Sequence, residues 1–122
     1  MADILIVDDH TGIRMLLQEV LTNEGHLVQT AKTGKEAMDF MLVSDYKILL
    51  LDFQLPVWNG AEVLRQMEEK QINIPTILMT GMSDHLPAGS KSSPLIASVV
   101  EKPFNLQDIC VLVENILVHK VD

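Results

Sequence analysis

The sequence predicts an α/β fold in which a five-stranded parallel sheet is covered by helices on both faces. Two observations carry this. Short β-rich apolar runs alternate with stretches of helical period along the whole chain, the pattern of repeated strand–helix units. The third and fourth runs, Ile48-Leu49-Leu50-Leu51 and Ile77-Leu78-Met79, are apolar without alternation, as in strands covered on both faces. With 122 residues, 48% of them apolar, the chain has material for one domain, 1–122, around one core.

The strands are expected at Asp3–Val7, His26–Thr30, Lys47–Leu51, Pro75–Met79 and Ile96–Val100. A first helix from about Gly12 to Glu24 is closed by Gly25, with Ile13, Leu16, Leu17, Val20 and Leu21 on one arc. A second runs over Thr33–Val43 and turns Ala37, Met38, Met41 and Leu42 inward. The third follows Gly60 with Ala61, Val63, Leu64 and Met67 as its apolar positions. The last covers about Asn105–His119, with Asn105 as N-cap and Asp108 at the positive end of the helix. Between the fourth and fifth strands the pattern breaks, because Asp84 to Pro94 holds two prolines, a glycine and three serines. Proline inside a helix costs about 3 kcal/mol and glycine about 1. An irregular or shortened fourth helix is therefore expected.

Composition narrows the function. The longest apolar runs are far too short to cross a bilayer, and the first residues lack the basic start and apolar core of a secretion signal. A lone cysteine, Cys110, allows no internal disulfide and sits in an apolar stretch as a small hydrophobe. Both features fit a cytoplasmic protein. A net charge of −8 without basic clusters argues against direct nucleic-acid binding. His26, His85 and His119 have no metal-ligand spacing. His10 stands beside an acidic pair, within reach of a bound anion, although plain loop placement is the commoner role for such a residue.

Chemistry gathers at the strand ends. Asp8 and Asp9 follow the first strand and Asp52 the third; Thr80 ends the fourth and Lys102 follows the fifth. In the strand order 2-1-3-4-5 the first and third strands are neighbours, and all three carboxylates meet in one crevice at the carboxyl edge of the sheet. Converging carboxylates need a cation, and oxygen donors suit a hard ion such as Mg²⁺. Such a site serves phosphate chemistry, with Asp52 as nucleophile and with Lys102 and Thr80 placed for phosphoryl oxygens. Each piece alone is a commonplace of turns and caps; their joint placement is not.

The segments ILIVDD, LLLDFQLPVWNG, ILMTG and EKPF, in this order and spacing, resemble the four signature segments of response-regulator receiver domains, the CheY-like superfamily with a flavodoxin-like (βα)5 fold. The likeness covers essentially the whole chain. Within the family, GIRMLLQEV, the EG before the second strand and KPFNLQDI resemble the stand-alone phosphorelay intermediates that initiate sporulation in Gram-positive bacteria. The resemblance implies that Asp52 takes a phosphoryl group from the phosphohistidine of a sensor histidine kinase. It would pass that group to a histidine phosphotransfer protein, acting as an intermediate rather than a turnover enzyme. It also implies direct Mg²⁺ ligation by Asp9, Asp52 and the Gln54 carbonyl, with Asp8 acting through water. Thr80 would hydrogen-bond one phosphoryl oxygen and Lys102 would pair with another, after a Lys102–Pro103 bond that is usually cis in this family. Two departures stand out: Val99 replaces the aromatic or histidine often found three residues before the lysine, and prolines interrupt the fourth helical interval.

Competing chemistries fit less well. A haloacid-dehalogenase-type phosphatase wants a second Asp two positions after its nucleophile, and Gln54 stands there. A P-loop reading of Thr33-Gly34-Lys35 fails at Gln29 and Glu36. A flavodoxin-like cofactor module would not need the acidic triad. Within the receiver reading, a relay intermediate, a switch that binds a target protein, and the receiver half of a longer regulator stay open. The ends of the chain, Met1 and a point three residues past the last helix, favour a free-standing monomer.

Overall fold

The computed structural model describes residues 3–81 and 93–119. They form β1 (Ile4–Val7), α1 (Thr11–Asn23), β2 (Val28–Ala31), α2 (Gly34–Val43), β3 (Ile48–Asp52), α3 (Gly60–Glu69), β4 (Thr76–Thr80), β5 (Ile96–Glu101) and α4 (Leu106–His119). The strands pair in parallel in the order β2-β1-β3-β4-β5. This is the expected flavodoxin-like arrangement. The expectation of irregular backbone over Asp84–Pro94 falls outside the described residues except at Ser93 and Pro94.

Successive strand residues point to opposite faces, so the uninterrupted apolar runs fill two cores at once. Leu5, Val7, Leu49, Leu51 and Leu78 pack with Ala37, Met38, Val63 and Met67 from α2 and α3. On the other face Ile4, Ile6, Ile48, Leu50, Ile77 and Met79 pack with Leu17 and Leu21 of α1 and Ile109 and Val113 of α4. β1, β3 and β4 are buried along their whole length, whereas β5, at an edge, is half covered.

Two helix ends are set by the residues expected there, Gly25 and Asn105, and two by caps that were not expected, Thr33 and Asn59. Gly25 takes φ 98°, and its N–H donates to Thr22 O at 3.0 Å while that of His26 reaches Leu21 O at 3.1 Å, closing α1. Thr33 Oγ1 caps α2 by accepting from Glu36 N–H at 3.0 Å, and Asn59 Oδ1 caps α3 by accepting from Glu62 N–H at 3.0 Å. Asn105 Oδ1 accepts from Gln107 N–H at 2.7 Å at the start of α4. Two expectations shift. β2 begins at Val28, later than His26, and continues to Ala31. Leu42, expected inward, is 57% exposed, because it lies roughly 90° round the helix from the middle of the buried row of Ala37, Met38 and Met41. Leu16, about 100° from the buried Leu17, is 52% exposed.

Two described residues other than glycine, Val57 and Gln71, take a positive φ. Val57, in the loop between β3 and α3, holds φ 64° and is fully exposed. The left-handed region costs a Cβ-bearing residue about 1–2 kcal/mol, and branching at Cβ worsens it. Val57→Gly is therefore expected to stabilise the fold by about 1 kcal/mol, read as a raised Tm or denaturation midpoint. An unchanged or lowered midpoint would mean that the loop relaxes this strain elsewhere.

Candidate functional site

Register builds the site. β1 and β3 pair as Ile4↔Ile48 through Val7↔Leu51, so one further step sets Asp8 beside Asp52. Parallel strands lie about 4.8 Å apart, close enough for the two carboxylates to feel each other strongly. Period two puts both on the α1/α4 face, in line with Ile6 and Leu50. β4 and β5 pair Thr80 with Glu101, and Lys102 N–H donates to Thr80 O at 2.7 Å. That bond brings Lys102 to the same edge. The Lys102–Pro103 peptide is cis, as the resemblance implied.

Asp8, Asp52 and Thr80 are buried; Asp9 is about one-third exposed. Lys102 Nζ lies 2.9 Å from Asp8 Oδ2 and 3.3 Å from Asp52 Oδ2. Asp52 Oδ1 accepts from the Gln54 N–H at 3.1 Å, while Asp52 Oδ2 has no hydrogen-bond partner among the described residues. Burial raises the Asp52 pKa above the usual carboxyl value and the Asp8 charge pushes it further; the Lys102 ammonium and the Gln54 N–H pull it back. Asp8 Oδ1 accepts from the His10 N–H at 2.8 Å, and the Asp8 carbonyl accepts from Arg14 Nη1 at 2.8 Å.

The structure thus brings Asp8, Asp9, Asp52, Thr80 and Lys102 to one edge, with Gln54 two residues beyond Asp52 and its side chain exposed. Donor atoms from Asp8, Asp9, His10 and Asp52 lie within 4.8 Å of one another. Three carboxylates, one of them with a buried oxygen that lacks a hydrogen bond, are a donor set that a hard divalent cation satisfies, so the residues present fit Mg²⁺. One member was not read from the sequence. Arg14 was given no role, though its place one helical turn after His10, with Arg14 N–H donating to His10 O at 3.0 Å, could have signalled it. His10 was expected to contact an anion or merely the loop, and it contacts the acidic pair itself.

Known proteins share this arrangement. The family described as the response regulator receiver domain matches residues 4–114. The chain is 37% identical over 107 residues to sporulation initiation phosphotransferase F of Bacillus subtilis, covering 87% of this chain and 86% of that protein. It is 31% identical over 114 residues to the DNA-binding transcriptional regulator NtrC of Klebsiella pneumoniae, covering 93% of this chain but only 24% of NtrC. It also spans about half, 51%, of the Staphylococcus aureus response regulator SaeR. Among solved structures, response regulator protein TrrA from Thermotoga maritima, in complex with Mg(2+)-BeF, superposes with a TM-score of 0.83 at 32% identity over 95% of this chain and 99% of that one. A CheY-like receiver domain protein from Methanospirillum hungatei gives 0.85 at 25% identity over 98% and 95%. No described helix is long and apolar enough to cross a membrane. With the strand order, the acidic pair, the buried strand-end aspartate and the lysine after the last strand all in place, the chain belongs to the response regulator receiver domain family of two-component systems.

Proposed function

We propose that this chain, working in the cytoplasm, accepts a phosphoryl group on Asp52 from the phosphohistidine of a sensor kinase and passes it to a histidine phosphotransfer protein. The observation that carries the reading is Asp52 Oδ2, buried, without a hydrogen-bond partner and 3.3 Å from the Lys102 ammonium. The Gln54 N–H holds the other oxygen, so Oδ2 is the one free to attack. As the Oδ2–phosphorus bond forms, the nitrogen–phosphorus bond of the donor breaks and its electron pair returns to the imidazole. Lys102 meets the phosphoryl oxygens from its place between Asp8 and Asp52, and Thr80 stands at the next strand end as the hydroxyl donor. Asp9, Asp52 and the Gln54 carbonyl would hold Mg²⁺, with Asp8 behind them, and the bound ion would neutralise charge on the transferring oxygens.

The relay reading draws on the likeness to a phosphotransferase over most of both chains. It also draws on a surface. Ile13 and Leu16 of α1 and Pro103, Phe104 and Leu106 after β5 line an apolar groove that Lys102 borders. A relay protein must dock the helix bearing its partner's histidine over the acceptor, and an apolar rim beside a charged centre suits that. A second reading, the receiver segment of a longer regulator, is favoured by the short share of NtrC and SaeR that the chain spans.

The test uses two phosphoryl donors. Leu16→Ala and Phe104→Ala are expected to slow transfer from a histidine kinase or phosphotransfer domain about tenfold, the effect of losing one apolar anchor worth more than 1 kcal/mol. Labelling by acetyl phosphate, which needs no docking surface, should stay near the parent rate. Equal loss with both donors would assign these residues to the fold instead, and no loss with either would place the partner surface elsewhere.

A further inference from the structure

The metal ligand set expected from the resemblance is made of oxygen alone. The structure adds a nitrogen. His10 follows the acidic pair directly, in extended backbone at φ −87° and ψ 112° just before α1. Its N–H donates to Asp8 Oδ1 at 2.8 Å, which turns the residue back over the pair. Nδ1 then lies 3.1 Å from Asp8 Oδ1 and 3.3 Å from Asp9 Oδ1. The ring is 64% exposed, so reorienting it costs little packing.

We propose that His10 contributes an imidazole nitrogen to the metal held by Asp9 and Asp52, so that this site favours a transition ion such as Ni²⁺, Co²⁺ or Zn²⁺ over Mg²⁺ to a degree that an all-oxygen site does not. The inference rests on the metal-dependent reading of the site. Two observations support it. One donor atom from each of Asp8, Asp9, His10 and Asp52 lies within 4.8 Å of the others, and donors bound to one such ion at about 2.0–2.2 Å stand no more than about 4.4 Å apart, so the cluster contracts on binding. Asp52 Oδ2, on a side chain 2% exposed, has no hydrogen-bond partner among the described residues and lies 3.3 Å from the Lys102 ammonium, a buried oxygen with room for a cation beside that charge. Imidazole suits Ni²⁺, Co²⁺ and Zn²⁺, whereas Mg²⁺ prefers oxygen and keeps its waters. Asp8, already paired with Lys102 at 2.9 Å, is the member best placed to accept from the ring N–H or from a metal-bound water.

The experiment is equilibrium binding of Ni²⁺ and of Mg²⁺, each alone, to the parent and to His10→Gln, with Co²⁺ added for its visible absorption spectrum. His10→Gln is expected to weaken Ni²⁺ binding about tenfold or more while changing Mg²⁺ affinity less than about twofold, and to shift the Co²⁺ bands as a nitrogen ligand is lost. Retained Mg²⁺ binding by the variant reports that the acidic pocket is intact. Equal changes for both ions, or none for either, would overturn the role of His10 while leaving the metal site standing. Failure of the parent to bind either ion would overturn the metal-dependent reading along with it. Asp9→Ala controls for the other histidines: if it keeps the parent's Ni²⁺ affinity, the ion sits elsewhere and the proposal fails.

Discussion

Asp52→Asn is expected to reduce incorporation of phosphoryl label from acetyl phosphate to background, a loss of more than roughly 10³-fold, and removal of Mg²⁺ should do the same to the parent. Asp9→Ala should come close, since it takes away an expected metal ligand while leaving the acceptor. The same Asp52→Asn protein should nevertheless be more stable than the parent when both are free of metal at neutral pH. The sign follows from the carboxyl's raised pKa, caused first by burial and then by Asp8. A carboxyl whose folded value exceeds its unfolded one contributes stability below the ordinary carboxyl range. That stability is lost as pH rises through the folded value, so the ionised form at neutral pH is a net cost. Lys102 does not lose its remaining partner in the variant, because Asp8 Oδ2 stays 2.9 Å away. A gain of about 1 kcal/mol would raise Tm by roughly 4 °C in a domain of this size, and it should shrink toward acid pH. Lost labelling with raised stability separates the missing nucleophile from a damaged fold. Retained acid-stable, base-labile label on the variant would move the acceptor elsewhere.

What the sequence made legible has a physical boundary. Long-range periodicity is a property of many residues at once, so the sheet, its order and the two-faced burial of Ile48–Leu51 and Ile77–Met79 could be read from it. The edge of a buried arc depends on one neighbour's reach, and there reading failed at Leu42, which sits at such an edge and turned outward. The site was legible where residue type and strand end coincide, at Asp8, Asp9, Asp52, Thr80 and Lys102. The roles of His10 and Arg14 were not, because they depend on the backbone turn from β1 into α1. In that turn a hydrogen bond from the His10 N–H to Asp8 folds the ring over the pair, and the first helical turn carries Arg14 to the Asp8 carbonyl. Charge alone did not announce either contact.

Gly60→Ala should couple the fold to the chemistry most directly. Gly60 opens α3, and a Cβ there would stand 2.8 Å from Phe53 Cα and 3.3 Å from Asp52 O. Both are backbone, so no side-chain rotation relieves the contact. The Gly60 N–H also donates to Phe53 O at 2.8 Å, which pins the helix start against the residue that follows Asp52. Moving that segment moves Gln54, whose N–H holds Asp52 Oδ1 at 3.1 Å and leaves Oδ2 free to react. The expected cost is about 1–3 kcal/mol of stability, the range for forcing extra volume into a packed site. Acetyl phosphate labelling of Asp52 should slow with it, even at temperatures where the variant is fully folded. Gly12→Ala is the matched control: a Cβ there meets nothing within 4 Å and the residue lies in α1, so alanine should stabilise by roughly 0.5–1 kcal/mol. Its labelling by the small donor should match the parent. If Gly60→Ala instead keeps both the parent's midpoint and its labelling rate, the loop from Phe53 to Asn59 yields without cost, and the close approach of α3 is not what positions Asp52.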